Sequence, residues 1–230
     1  MVIIENYCLL CNQPLAIAAH GICGFCGFCE RGLPEMPPVC RRCGLPLVTP
    51  EPECGRCLQS PPPWQSLLAV TGYQPPLAAL VHRLKYSGQT HIARALARLL
   101  LRRVLAAYRA GECPKPDLLL SVPLYRYRQW RRGFNQSDLI TLPLAKWLRC
   151  PYDSSGLIRT RATLSQRMLS RTQRLTNLSS AFAVTRDVRG LHIALTDDVI
   201  TTGATMTALS ELLIRAGAAA VRVWCLCRTL

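Results

Sequence analysis

Apolar positions in this chain fall into short blocks whose period switches between that of a strand and that of a helix. Residues 192–195 form a compact apolar block that reads as a buried strand. From Thr205 onward, Leu209, Leu212, Leu213 and Ala216 recur at helical spacing until Gly217 supplies a stop, and residues 220–227 give a second strand. Upstream the same alternation predicts a strand at 67–70 and a helix over 76–86 with Leu77, Leu80, Val81 and Leu84 on one face. A long amphipathic helix follows over 91–110, ended by Gly111, with Arg94, Arg98, Arg102 and Arg109 on its polar side. A strand at 117–122 and a helix beyond Gly133 carrying Leu139, Leu142 and Trp147 complete the series. Strands alternating with helices predict an α/β domain with a mostly parallel sheet.

The run after the 192–195 strand carries the clearest chemistry: Asp197, Asp198, Val199, Thr201, Thr202, Gly203, Ala204 and Thr205. It lies at the carboxyl end of a strand and opens a helix, where open α/β sheets bind ligands. Backbone N–H groups of residues 201–205 can face an anion there, with the helix dipole assisting and threonine hydroxyls adding donors. Two carboxylates repel phosphate, but as acceptors they suit the vicinal hydroxyls of a ribose or a bridging Mg²⁺. The plainer alternative is that the acids cap the helix and the threonines fill a turn. The string resembles the 5-phosphoribosyl-1-diphosphate (PRPP) motif of type I phosphoribosyltransferases. No G-x-x-x-x-G-K-[ST] string occurs, which excludes a P-loop.

The net charge of +15 changes the picture because it is concentrated. Residues 60–180 hold 19 basic against 4 acidic residues, while the two flanks nearly balance. Of the 28 basic residues 25 are arginine, whose planar fork suits phosphate and stacks on bases. A polyanionic partner is implied, with nucleic acid the leading candidate over a generically basic solvated surface. Apolar runs are too short for a membrane span and no basic leader precedes one, so a cytoplasmic protein is expected.

Nine of the 13 cysteines lie before residue 58. Eight form the C-x₂-C pairs Cys8/Cys11, Cys23/Cys26, Cys40/Cys43 and Cys54/Cys57, which suit knuckles meeting in twos around structural Zn²⁺. Sequential pairing gives one zinc on Cys8, Cys11, Cys23 and Cys26 and a second on Cys40, Cys43, Cys54 and Cys57; a cross-braced order is also compatible with the spacing. Cys29 makes a further C-x₂-C with Cys26, so the first ligand set could shift by one pair. Cys225 and Cys227, on the last strand, read as small buried hydrophobes. The chain is thus expected to divide into a zinc-finger module (1–59), a Pro-rich linker (60–65) stiff enough to hold that module off, and an α/β domain (66–230).

Two basic strings fall inside the α/β part. Arg126, Tyr127, Arg128, Trp130, Arg131, Arg132 and Phe134 interleave guanidinium groups for phosphates with ring faces for bases. The alternative buries the aromatics and leaves the arginines to water. Gly133 marks a turn, and because the string follows a strand it could face residues 201–205 and grip a pyrophosphate. Farther on, Arg159, Arg161, Arg167, Arg171 and Arg174 occur without an acid between Asp153 and Asp187, which predicts a loop that orders on an anion.

Taken together, the cysteine-rich start, Leu84-Lys85-Tyr86, Arg132-Gly133-Phe134-Asn135-Gln136, Thr163-x-x-Gln166, Asn177-Leu178…Ala181-Phe182, the Asp197-Asp198 string and the closing Arg-Val-Trp-Cys-Leu-Cys-Arg resemble the ComF/GntX family along essentially the whole chain. That resemblance implies a type I phosphoribosyltransferase-like domain with a zinc finger, and the handling of imported single-stranded DNA in transformation or nutrition, with DNA-uptake proteins as partners. It would give Asp197 and Asp198 to ribose hydroxyls and residues 201–205 to the 5-phosphate of PRPP or a nucleotide. Many relatives carry one finger, whereas four pairs here suggest two. Lys85, Arg131, Arg132 and Arg167, with Mg²⁺, suit a pyrophosphate. A competing reading is a phosphoribosyltransferase acting on a free nucleobase or other small acceptor, although no base-reading element is legible.

Overall fold

A computed structural model describes residues 7–15, 24–48, 51–161 and 181–230. Its centre is a five-stranded sheet in the order β1-β7-β6-β2-β3, every neighbouring pair parallel. The strands are β1 (Leu67–Gly72), β2 (Leu118–Ser121), β3 (Tyr152–Asp153), β6 (His192–Ile200) and β7 (Ala220–Arg228). A separate antiparallel pair joins β4 (Leu157–Arg159) to β5 (Phe182–Val184). All nine residues of β7 are buried, which is why, Arg222 and Arg228 apart, its residues are apolar on both faces rather than alternating.

Helices cover both faces. On one, α3 (Leu77–Tyr86), α4 (Ile92–Arg109) and α6 (Gln136–Leu148) bury Leu80, Leu84, Leu96, Leu100, Ile140 and Leu144 in one core with Trp224. On the other, α7 (Ala204–Arg215) packs Met206, Leu209 and Leu213 against Leu195, Val221 and Val223. The α/β expectation is therefore met. The helix stops at Gly111 and Gly217 also fall where the residue pattern puts them, both at positive φ.

Crossovers leave this sheet in opposite directions. After β2 the chain passes through α6 to β3 on one side; after β6 it passes through α7 to β7 on the other. The loops that follow β2 and β6 therefore diverge from adjacent strands, and the crevice between them is the switch point at which such sheets bind ligands.

The cysteine-rich part is a structural repeat. A tight turn in each copy is closed by a hydrogen bond, Cys8 N to Gln13 O (2.8 Å) and Cys40 N to Leu45 O (2.9 Å). Each turn faces a five-residue helix, α1 (Gly27–Arg31) or α2 (Gly55–Gln59), that begins just after a cysteine. The stiff linker does not hold this module away. Phe25, Leu9, Leu10 and Leu33 join the core of α3 and α4, Trp64 and Met36 join that of α7, and Leu67 N donates to Arg41 O at 2.8 Å. Too few apolar residues lie in the module for a core of its own, so it borrows one.

Candidate functional site at the β2/β6 crevice

The strand carrying the acid pair is longer than its apolar block. β6 continues to Ile200, paired with β7 as far as Arg228, so Asp197 and Asp198 lie on the strand and not in the loop beyond it. Adjacent strand residues point to opposite faces, and the two carboxylates meet different surroundings. Asp198, only 2% exposed, forms an ion pair with Lys85 of α3 at 2.5 Å and accepts from Gln136 Nε2 at 3.4 Å. Burial works against the Lys85 ammonium, but the Asp198 carboxylate outweighs it and holds the lysine above its ordinary value. Removing one partner of such a buried pair costs about 3–5 kcal/mol. Lys85, expected to meet phosphate, is thus engaged with the acid.

Asp197 is half-buried and lines a polar concavity of about 90 Å³ with Val199, Thr201, Thr202, Gly203, Ala204 and Thr205. Ser137 Oγ donates to its Oδ1 at 2.8 Å, as does the Asp198 N–H at 2.9 Å. Burial, followed by the neighbouring Asp198 charge, pushes its carboxyl up to about 8. Gly203 caps α7 at φ 81°, a left-handed geometry that glycine takes without strain. The first turn of α7, whose N–H groups have no acceptor within the helix, opens onto this concavity. A larger hollow of about 820 Å³ lies away from the acids, between the first knuckle and α4. Its walls at residues 7–12 and Gly24 border residues outside the described set, and it is no candidate.

The chain after β2 reaches the acid pair through Gln136 and Ser137. Its basic string is a helix, α5 (Arg126–Arg132), closed by Gly133 at φ 82°. None of its residues is buried: Tyr127 is 60% and Trp130 80% exposed, with ring centroids 6.2 Å apart. Arg126, Arg128 and Arg131 are exposed beside them, and no acid lies in the helix. Phe134 instead packs against the core, which removes it from the stacking set. Arg132 turns inward, its guanidinium 5.5 Å from the Tyr86 ring and bonded to Gln136 Oε1. Asn135 caps α6 by accepting from Ser137 N at 3.1 Å and donates to Val122 O, also at 3.1 Å. Gln136 and Ser137 therefore reach the acid pair from a fixed helix start. Residue pattern alone does not mark either as a site residue, although the cap residue Asn135 beside them is a usable signal. Arg167 and Arg171, with the rest of the expected anion-ordered loop from 162 to 174, lie outside the described residues.

Four thiols gather in each cysteine repeat, their sulfurs within 4.8 Å of one another: Cys8, Cys11, Cys26 and Cys29, and Cys40, Cys43, Cys54 and Cys57. Pairing among the described residues is sequential. Four sulfurs at that spacing could hold a tetrahedral zinc. In the first set Cys29 occupies the place that the spacing assigns to Cys23, which lies outside the described residues. Helix propensity distinguishes the registers. With Cys26 as the cap, Glu30 and Arg31 end the short helix, whereas with Cys23 a second glycine, Gly27, would fall inside it. Burial opposes the Cys8 thiolate, but N–H groups of Cys11, Cys26 and Leu10 outweigh it and bring the thiol down to about 6. Cys43, Cys54 and Arg42 do the same for Cys40, to about 7. Cys225 and Cys227 are buried hydrophobes as expected.

Metal analysis should return about two zinc per chain, falling by one in Cys29→Ser and unchanged in Cys23→Ser; the reverse pattern would restore Cys23 as the ligand. Because the folded chain holds a proton on Asp197 that the unfolded chain releases above about pH 4, this group's contribution to stability falls between about pH 4 and pH 8. Ligand-free Asp197→Asn should accordingly melt with the parent near pH 4 and progressively above it toward pH 8. Parallel melting profiles would show an ordinary carboxylate.

The chain is similar to several known proteins. A phosphoribosyl transferase domain model matches residues 143–230. DNA utilization protein YhgH of Salmonella typhi is 51% identical over 230 residues, covering 100% of both chains. Competence protein F of Haemophilus influenzae is 38% identical over 224 residues, 96% of each. Among solved structures, the glutamine PRPP amidotransferase from B. subtilis is 24% identical over 58% of this chain and 26% of its own, with a TM-score of 0.39. Identity sustained along the full length of such relatives shows that the chain belongs to the ComF/GntX family of DNA utilization and competence proteins.

Proposed function

We propose that the β2/β6 crevice binds PRPP or a related nucleotide, and that α5 holds single-stranded DNA, in the handling of imported DNA. The observation that carries this reading is the occurrence, after the carboxyl ends of β2 and β6, of a small polar concavity lined by Asp197 and of a helix that exposes Arg126, Tyr127, Arg128, Trp130 and Arg131. The 5-phosphate takes the N–H groups of residues 201–205, where the α7 dipole adds to the attraction. The hydrogen bonds from Ser137 and Asp198 both end on Asp197 Oδ1, so Oδ2 is the oxygen that meets a sugar hydroxyl. Asp198, neutralised by Lys85, fixes α3 and α6 around the site rather than meeting the sugar first. Asp197, on losing its proton, would hold Mg²⁺ together with substrate oxygens, and the ion would offset the charge of the pyrophosphate.

On α5, Tyr127 and Trp130 are three residues apart and share a helix face, so bases can stack there while Arg126, Arg128 and Arg131 meet phosphates. The names of the relatives, a DNA utilization protein and a competence protein, support a nucleic-acid partner. A second reading, pentosyl transfer to a free base, draws on the phosphoribosyl transferase match. Release of pyrophosphate from PRPP on adding a free nucleobase would establish it.

Calorimetry with PRPP and Mg²⁺ tests the crevice: Asp197→Asn should bind at least tenfold more weakly, and affinity equal to the parent's would reject the assignment. For α5, Trp130→Ala should weaken binding of a thymidine oligomer by the ~1–3 kcal/mol of one stacked base. Arg128→Ala with Arg131→Ala should lower the slope of log K against log salt by about 0.7 for each phosphate that the variant no longer neutralises. A double variant with the parent's slope would clear this helix of a role at the DNA backbone.

A further inference from the structure

The phosphate loop is gripped from beneath by two side chains that also hold the second cysteine repeat. Arg228, at the end of β7 and 5% exposed, donates from Nε to Cys43 O at 2.9 Å. Its Nη1 donates to Ile200 O (3.1 Å), Thr229 O (3.0 Å) and Thr201 O. Among the described residues no carboxylate pairs with it, so a guanidinium satisfied only by carbonyls spans from a zinc-knuckle cysteine to the first residue of the loop. Trp64 makes the second span. Its Nε1 donates to Arg42 O at 2.6 Å, and Arg42 Nη1 returns a bond to Trp64 O at 3.2 Å. On its far edge, Cη2 sits so close that a Cβ at position 203 would come within 3.3 Å of it. Arg42 and Cys43 both lie in the turn that carries two of the four clustered thiols.

We propose that Arg228 and Trp64 are positioning residues of the phosphate site, and that through them the second cysteine repeat sets the ligand-binding shape of residues 200–203. The inference rests on reading 201–205 as the phosphate loop. A carbonyl turned toward bound phosphate repels it, whereas an N–H attracts it. Thr229 N also holds the Ile200 carbonyl, at 2.9 Å, whereas the Thr201 carbonyl ends on the Arg228 guanidinium, so Arg228 keeps the Thr201 oxygen beneath the loop, away from the anion. Trp64 blocks the loop from collapsing toward the repeat at its only left-handed residue, Gly203.

The test compares Arg228→Lys, Arg228→Met and Trp64→Phe in the full chain by calorimetry with PRPP and Mg²⁺, by binding of a thymidine oligomer, and by amide hydrogen exchange. Lysine keeps the charge but cannot reach Cys43 and the loop carbonyls together, and phenylalanine lacks both the N–H and the outer ring edge. All three variants should bind PRPP at least tenfold more weakly, bind the oligomer within twofold of the parent, and exchange faster at 200–206 and 41–43 with α4 still protected. Parent-like PRPP affinity in Arg228→Lys with weakened binding in Arg228→Met would reduce Arg228 to a charge and overturn its positioning role. Unaltered exchange at 200–206 in Trp64→Phe would do the same for Trp64, and that variant carries the test if changes at Arg228 prevent folding. If the parent itself fails to bind PRPP, the reading of the crevice fails, while the exchange data still decide whether the brace exists.

Discussion

Two adjacent carboxylates at the inner end of a central strand are the constraint around which this molecule is arranged. Like charges side by side in a low-dielectric setting are costly, and each acid needs its own remedy. Asp198 has an ammonium from α3 and an amide from the start of α6; Asp197 has a hydroxyl from the next residue of α6 and a main-chain N–H. Both helices must therefore converge on the tip of β6. Their convergence borders the crevice, and the raised Asp197 carboxyl is what these partners leave unrelieved.

Much of this is legible from residue pattern. The strands β1, β2 and β7 and the helices α3, α4, α6 and α7 follow from apolar period and from glycine stops, because each buries one face or both against a partner layer. β6 reads too short because a charged pair inside a strand looks like a break. Only contacts with Lys85, Gln136 and Ser137, 60 residues or more away in sequence, make it tolerable. The basic string around Trp130 reads as a loop; arginine, glutamine and tryptophan sustain a short helix once Gly133 can close it. The β3, β4 and β5 strands, two or three residues each, are too brief to show any period.

The cysteine region shows that spacing alone leaves the first ligand set open. Counting residues between pairs favours Cys23, because that interval resembles the one in the second repeat. Backbone geometry places Cys26 and Cys54 in matching roles, each preceding a five-residue helix and each donating its N–H to the first cysteine of its own set at 3.3 Å. The two copies thus resemble one another more closely in their hydrogen bonds than in their spacing. What differs is the docking partner: the first copy leans on α4, where Gly24 and Ala95 approach closely, and the second on the end of β7.

The order of strands has a consequence for how the chain is made. β7 lies between β1 and β6 yet is synthesised after every other member of the sheet. Until it emerges, β1 has no neighbour and β6 presents an open apolar edge on a growing chain. Such an edge invites pairing with another nascent copy. By that rule β7 is the strand that removes the hazard, and the open edge is longest-lived just before the sheet closes.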